Sequence, residues 1–179
     1  LLFGRAAHLE DHVVLTADTA TMSINQFLYS KPGYNAEKDF APVGLMARFP
    51  LILVVNPKVP VNDLKAFLAW AKAQQNAVAY ATPGAGSPHH LATELFADVS
   101  GLKLLHAPYK GAAPAVQDVI GGQVPSMFVD TAVGAWHIRA GKLKAIGVAS
   151  PKRVRGFDTI PTLGEQGLTG FEAYAWQGM

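Results

Sequence analysis

The chain has 179 residues, half of them hydrophobic, with 15 Lys or Arg against 13 Asp or Glu and a formal net charge of +2. That length suits one domain of good size or two small lobes, with apolar residues enough for a buried core. The scattered charge excludes the concentrated basic face of a nucleic-acid binder, the absence of cysteine excludes a disulfide framework and a thiolate metal site, and no apolar run approaches the roughly 18 residues of a membrane span.

Leu1-Leu2-Phe3 is apolar but lacks a charged n-region and a following apolar h-region, so no signal peptide is visible, which leaves room for a cleaved or truncated start. His12 to Thr16 reads as a buried strand. A helix-like stretch follows to about Tyr29, with Asp18 or Thr19 as its N-cap. Lys31 to Asn35 is a turn by composition. Phe40 to Arg48 reads as a strand crossing between lobes, and Leu51 to Asn56 as a separate strong strand. Asn62 is the expected cap of a helix with apolar positions Leu64, Phe67, Leu68 and Ala71. Trp70 on that helix is expected in the core.

Ala77 to Thr82 is the next strand. After Pro83-Gly84-Ala85-Gly86, Ser87 caps a helix with Pro88 at its first position. Leu91, Leu95 and Phe96 supply that helix's apolar stripe, and Gly101 ends it. Leu102 to Tyr109 is a strand, and Ala113 to Ile120 a helix stopped by Gly121-Gly122. Val124 to Val129 is a strand, with Asp130 or Thr131 capping the helix Ala132 to Ala140. Leu143 to Ala149 is a strand, Thr162 to Gly167 a short helix, and Phe171 to Trp176 a last strand. Strands alternating with helices of about ten residues predict an α/β fold with mostly parallel pairing.

In such sheets ligands bind beyond the carboxyl ends of the strands, where helix N-termini offer unpaired N–H groups to an anion. The strand-to-helix theme recurs near Ala17, Gly84, Lys110 and Asp130. Thr82 to His90 is the richest of these turns. Gly84 and Gly86 let the backbone approach a ligand, and Ser87 offers a hydroxyl. The alternative is a well-capped turn that binds nothing. No Gly-Lys-Ser/Thr follows, so it is not a P-loop, and a third glycine is missing for a dinucleotide fingerprint.

Adjacent His89 and His90 point about 100° apart on a helix, which disfavours a shared metal ion. His90 is expected to brace the loop and His89 to lie on the surface. A hydrolase using Ser87 and His90 lacks the Gly-x-Ser-x-Gly frame. Lys110 either supplies a cation for a carboxylate or points to solvent. Asp130 caps its helix, holds a water, or accepts from a ligand hydroxyl or amine. Asp18 is a cap or a cleft residue, tilting the expectation toward a ligand that carries an amine or hydroxyl beside its carboxylate. No cofactor and no metal are expected.

Thr82 to Leu91, His106 to Ala115 and Gly121 to Val124, together with His137 to Leu143, Ile160 to Thr162 and Lys38 to Val43, resemble the Bug-type receptors of tripartite tricarboxylate transporters. The similarity runs from about Val13 to Met179. It implies a periplasmic receptor of the type II periplasmic-binding fold, in which two lobes close on a small carboxylate and deliver it to membrane permease subunits. By that mapping lobe two spans 44–160 and a partial lobe one comprises 1–43 and 161–179. The ligand-binding set is then Asp18, Thr19, Thr82, Gly84, Gly86, Ser87, His90, Tyr109, Lys110 and Asp130. The chain departs from the family in several places. A first strand expected before Leu1 and helix expected after Met179 are missing. Leu9-Glu10-Asp11 replaces a Pro-Asp-Gly turn, Asp18-Thr19-Ala20 replaces a Thr-Ser-Gly-like turn, and Asp130 stands one place late, after Val129. An incomplete lobe one would favour oligomerisation through unpaired strand edges. Other readings of the chain are a receptor-like signalling module, a fragment that binds nothing, and the Ser/His hydrolase.

Overall fold

A computed structural model describes residues 14–179. His12, Val13 and the Leu9-Glu10-Asp11 turn lie outside the described residues. The fold turns on one long strand. Expected as two strands, 40–48 and 51–56, it is a single β2, Leu45–Val55. Residues 45–50 of β2 pair antiparallel with β7, Tyr174–Gly178, which also pairs with the two-residue β1, Ala17–Asp18. Residues 51–55 pair antiparallel with β5, Ser126–Asp130, and along the other side residues 52–55 pair with β6, Lys144–Val148. Beyond β5 lie β3, Val78–Thr82, and β4, Leu104–Pro108. The first sheet is therefore β1-β7-β2 and the second β4-β3-β5-β2-β6.

The expectation of mostly parallel pairing is corrected. Only β4, β3 and β5 run parallel, because helices connect them. β2 enters from the other sheet and must run against them. Leu51 to Val55 is an unbroken apolar run because helices cover both faces of its sheet. All five residues are at most 2% exposed. Alternation sorts them: Leu51, Leu53 and Val55 join Phe67, Phe96, Phe128 and Phe171 on one face, while Ile52 and Val54 join Val119, Met127 and Val129 on the other.

The first face carries α2, Leu64–Lys72, and α3, Pro88–Ser100, through Leu64, Phe67, Ala92 and Phe96. The second carries α4, Ala112–Gly121, and α5, Thr131–Arg139, through Ala115, Val116, Val133 and Ile138. At Gly134 a Cβ would meet Val129 Cγ1 at 2.6 Å, so α5 sits on β5 at a distance that excludes a larger side chain.

Several local expectations change. The α2 cap is Asp63, not Asn62: its Oδ1 accepts from the Ala66 amide at 2.7 Å. Asn62 instead accepts from Lys144 Nζ at 3.3 Å. Leu91 and Leu95 are 46% and 48% exposed, since α3 turns His89, Ala92, Thr93 and Phe96 inward. Residues 163–167 form turns rather than a helix, and the last strand starts at Tyr174 rather than Phe171. Trp70 is only partly buried, packed at the rim of the core. Val14 to Thr16 are not strand. The stretch to Leu28 is a π-helical segment, Ala20–Ile24, followed by a short α1, Asn25–Leu28.

Candidate functional site

The register of the second sheet decides where its turns open. Thr82 is level with Pro108 and Ala81 with Met127. Two residues beyond Thr82 and Pro108, and three beyond Met127, the turns at Gly84, Lys110 and Asp130 leave one common edge. β2 runs against both of its neighbours in this sheet, so β6 runs the same way as β5: Leu51 faces Asp130 and Ile52 faces Val148, and the end of β6 reaches the same edge. β1 runs antiparallel to β7, whose first residue pairs with Pro50. The end of β1, at Asp18 and Thr19, is therefore directed toward this edge. The segment after it reaches across. A Cβ at Gly86 would meet Leu28 Cδ2 at 2.3 Å and Ile24 Cγ2 at 3.8 Å.

The Thr82–His90 turn is held by its own side chains. Ser87 Oγ donates to the Gly84 carbonyl at 2.8 Å and accepts from the His90 amide at 3.2 Å. The Gly84 amide donates to Thr82 Oγ1 at 3.3 Å. The Gly86 amide, with φ at 75°, donates to His90 Nδ1 at 3.1 Å. His90 thus braces the loop as expected, and it takes the amide that Gly86 was expected to offer a ligand. Ser87 has no bond to an imidazole, so a Ser–His nucleophile pair is not assembled.

His106 stands behind this turn and carried no expectation of its own. Its Nε2 lies 2.7 Å from Thr82 Oγ1, and its ring stacks on His90 at 4.0 Å and on Tyr80 at 5.1 Å. The Tyr80 hydroxyl bonds Glu94, whose Oε1 lies 3.9 Å from His90 Nε2. Burial, then the Glu94 hydrogen bond and charge, push the Tyr80 phenol far up. Only the partner strand reveals His106, since 24 residues separate it from Thr82.

His89 is not on the surface. It is 7% exposed, and its Nε2 lies 3.5 Å from Asp130 Oδ2. Asp130 caps α5, its Oδ1 accepting from the Val133 amide at 2.8 Å. Burial would raise the Asp130 pKa, but the contact with His89 and the Val133 amide outweigh it and hold the carboxyl below its usual range.

The turn before α4 differs. Tyr109 and Gly111 tie back to β3 by backbone bonds from their amides to Thr82 O at 3.0 Å and Pro83 O at 2.8 Å. The Tyr109 hydroxyl donates to Asp118 Oδ2 at 2.7 Å, which pushes its pKa up to about 12, with burial adding. Gly111, at φ 112°, is the N-cap and provides no side-chain acceptor. The first amides of α4 are therefore left uncapped beside exposed Lys110, which makes no ion pair among the described residues.

At the remaining turn, Asp18 Oδ1 accepts from the Thr21 amide at 2.8 Å. Thr19 Oγ1 accepts from the Trp176 amide at 3.0 Å, stitching the segment to β7 rather than capping it. Thr19 also lines a mostly apolar hollow of about 1270 Å³ on the first sheet, with Leu15, Met22, Phe40, Leu45 and Trp176. Of the predicted site residues it alone lies there.

Two open sheets sharing one crossing strand, with strand-to-helix turns along a common edge, define the periplasmic-binding type of solute receptor. The chain belongs to the tripartite tricarboxylate transporter receptor family, whose model matches residues 8–179. It is 35% identical to protein BugT of Bordetella pertussis over 92% of this chain and 50% of that protein. Among solved structures it is similar to R. palustris Rpa4515 with adipate, at TM-score 0.87 and 29% identity over 91% of this chain and 55% of that one. It is also similar to MatC from Rhodopseudomonas palustris with bound malate, at TM-score 0.83 and 29% identity over the same shares. The chain thus spans about half the length of the relatives it matches. These relatives are receptors, not enzymes.

Proposed function

We propose that this chain forms the ligand-capturing part of a periplasmic receptor for small carboxylates, which delivers them to the permease subunits of a tripartite tricarboxylate transporter. The observation that carries it is the common edge at Gly84, Lys110 and Asp130, with one of the three helix starts left without an internal acceptor. Ser87 and Asp130 cap α3 and α5, whereas Gly111 cannot cap α4. A carboxylate on the α4 amides would take the acceptor role that the sequence omits, with the helix dipole and Lys110 both favouring it. Thr82, Gly84, Gly86, Ser87 and His90 are then the wall of the site, and Tyr109 and Asp130 flank it.

Asp130 Oδ1 accepts from the Val133 amide and Oδ2 faces His89 Nε2 at 3.5 Å, so the carboxylate is turned toward the protein rather than toward a ligand amine. The preferred class is therefore plain or hydroxylated mono- and dicarboxylates. We place the hinge where β2 changes partners, between Pro50 and Leu51, and at the matching step from Ala173 to Tyr174. The mapping by resemblance puts these boundaries at 44 and 160. Leu163 and Phe171 pack in the core of the second sheet, which favours the later boundary.

Adipate and malate serve as first probes, by calorimetry and thermal shift. At a hundredfold excess over Kd the ligand should add about 2.7 kcal/mol of stability. Lys110→Ala should weaken binding by more than about tenfold, a loss of about 1.4 kcal/mol. An unchanged affinity would remove Lys110 from the site, and no shift with any small carboxylate would defeat the proposal.

A further inference from the structure

The Gly86 amide has one acceptor, the Nδ1 of His90. A backbone N–H can only donate, so this nitrogen must be unprotonated and the ring must be the neutral Nε2–H tautomer. A second proton on the ring would set two N–H groups against each other across 3.1 Å. Leu28 and Ile24 lie over the Gly86 α-carbon on the side where a Cβ would stand, so the amide and the ring meet beneath a covering segment. From these contacts we propose that His90 is a proton-sensitive latch: the neutral ring holds the 82–87 turn in its binding geometry, and protonation releases it.

The charged and titratable groups facing His90 come from three elements. Glu94 on its own α3 approaches Nε2, Tyr80 on β3 bonds that same Glu94, and His106 on β4 stacks against the ring. Tyr80 keeps its proton throughout the working range. His106 has its pKa pushed down, first by burial, then by charge on His90, with Glu94 opposing. A depressed imidazole stabilises the fold at pH above its ordinary value, and that stability is lost as pH falls through the depressed one. His106 therefore resists the proton, and the stacked pair admits one charge rather than two. His106 acts as the positioning residue. It fixes the His90 ring by stacking and reaches the head of the turn through Thr82.

The test is nuclear magnetic resonance of the isotope-labelled chain without ligand, titrated from about pH 8 to about pH 5, the span in which imidazole changes charge. The Nε2–H tautomer of His90 should be seen at the alkaline end. The Gly86 amide should shift together with the His90 ring. His90→Asn keeps an acceptor near the Nδ1 position and cannot titrate, so its Gly86 amide should stay still. His106→Phe keeps a stacking partner without its proton-binding nitrogens, and should move the Gly86 midpoint to higher pH. A Gly86 amide indifferent to His90 protonation overturns the latch, as does an Nδ1–H tautomer at pH 8. A second arm rests on the receptor reading: adipate affinity should fall with acid by up to about tenfold per pH unit, and His90→Asn should flatten that dependence. If adipate binds with no pH dependence, the coupling to ligand is wrong. If adipate fails to bind while Gly86 still titrates, the latch stands and the choice of ligand falls.

Discussion

At the scale of the residue, the turns owe their shape to side chains that satisfy backbone groups. Lys144 shows this away from the site. Its ammonium donates to the carbonyls of Val59 and Val61, both at 3.0 Å, and to Asn62. Lys144→Met keeps the aliphatic stem but strips the 56–62 turn of these charged donors, and should cost about 1–3 kcal/mol. Chemical denaturation would register it as a lower midpoint at unchanged m-value, and an unchanged midpoint would mean that water replaces the ammonium. His89 and His106 are the residues that a linear reading misplaces. His89 follows Ser87-Pro88 in what reads as an open helix start, and only the neighbouring turn at Asp130 gives it a buried partner. Asp130 and Ser87, whose partners lie within three residues, were legible as caps.

At the scale of the element, caps and close contacts set helix positions. Ser87→Ala removes the oxygen that accepts from the His90 amide, and should cost about 0.5–2 kcal/mol. It should also loosen the Gly84 carbonyl, which Ser87 holds. Thermal unfolding measures the first effect, and a stability equal to the parent's would show that the turn is held by His90 alone. Helices with strong local signals were legible: Pro88 and Gly101 bound α3, and Gly122 closes α4 in the left-handed conformation. Elements without such signals were not. Phe40 to Asn56 reads as two strands because Pro50 interrupts it. Proline is tolerated there because β2 is changing partners at that residue, and Pro50 pairs only with Tyr174. Leu91 and Leu95 read as core because they are apolar at helical spacing, but α3 buries the face that carries Phe96.

At the scale of the whole molecule, the two sheets differ in depth. Residues 51–55 are buried on both faces, whereas Leu45 and Met46 at the other end of the same strand are 65% and 54% exposed. Local opening follows the number of buried apolar contacts. Hydrogen exchange should therefore show amides of β1 and of β2 residues 45–49 exchanging well before those of 51–55. Uniform protection along β2 would contradict it. The same difference gives the molecule one firm body, which bears the α3, α4 and α5 turns, and one lighter sheet facing it across the crossing strands.

The sequence by itself determined the α/β class, most helix ends and the family, because caps, glycine stops and apolar runs act over a few residues. Which turns share an edge, that β2 runs against its neighbours, that His90 occupies the Gly86 amide and that His89 meets Asp130 were decided only by the tertiary structure. These are pairings between segments tens of residues apart. Their register comes from the way Leu51 to Val55 distributes alternate side chains between two cores, and no local pattern in the chain encodes that choice.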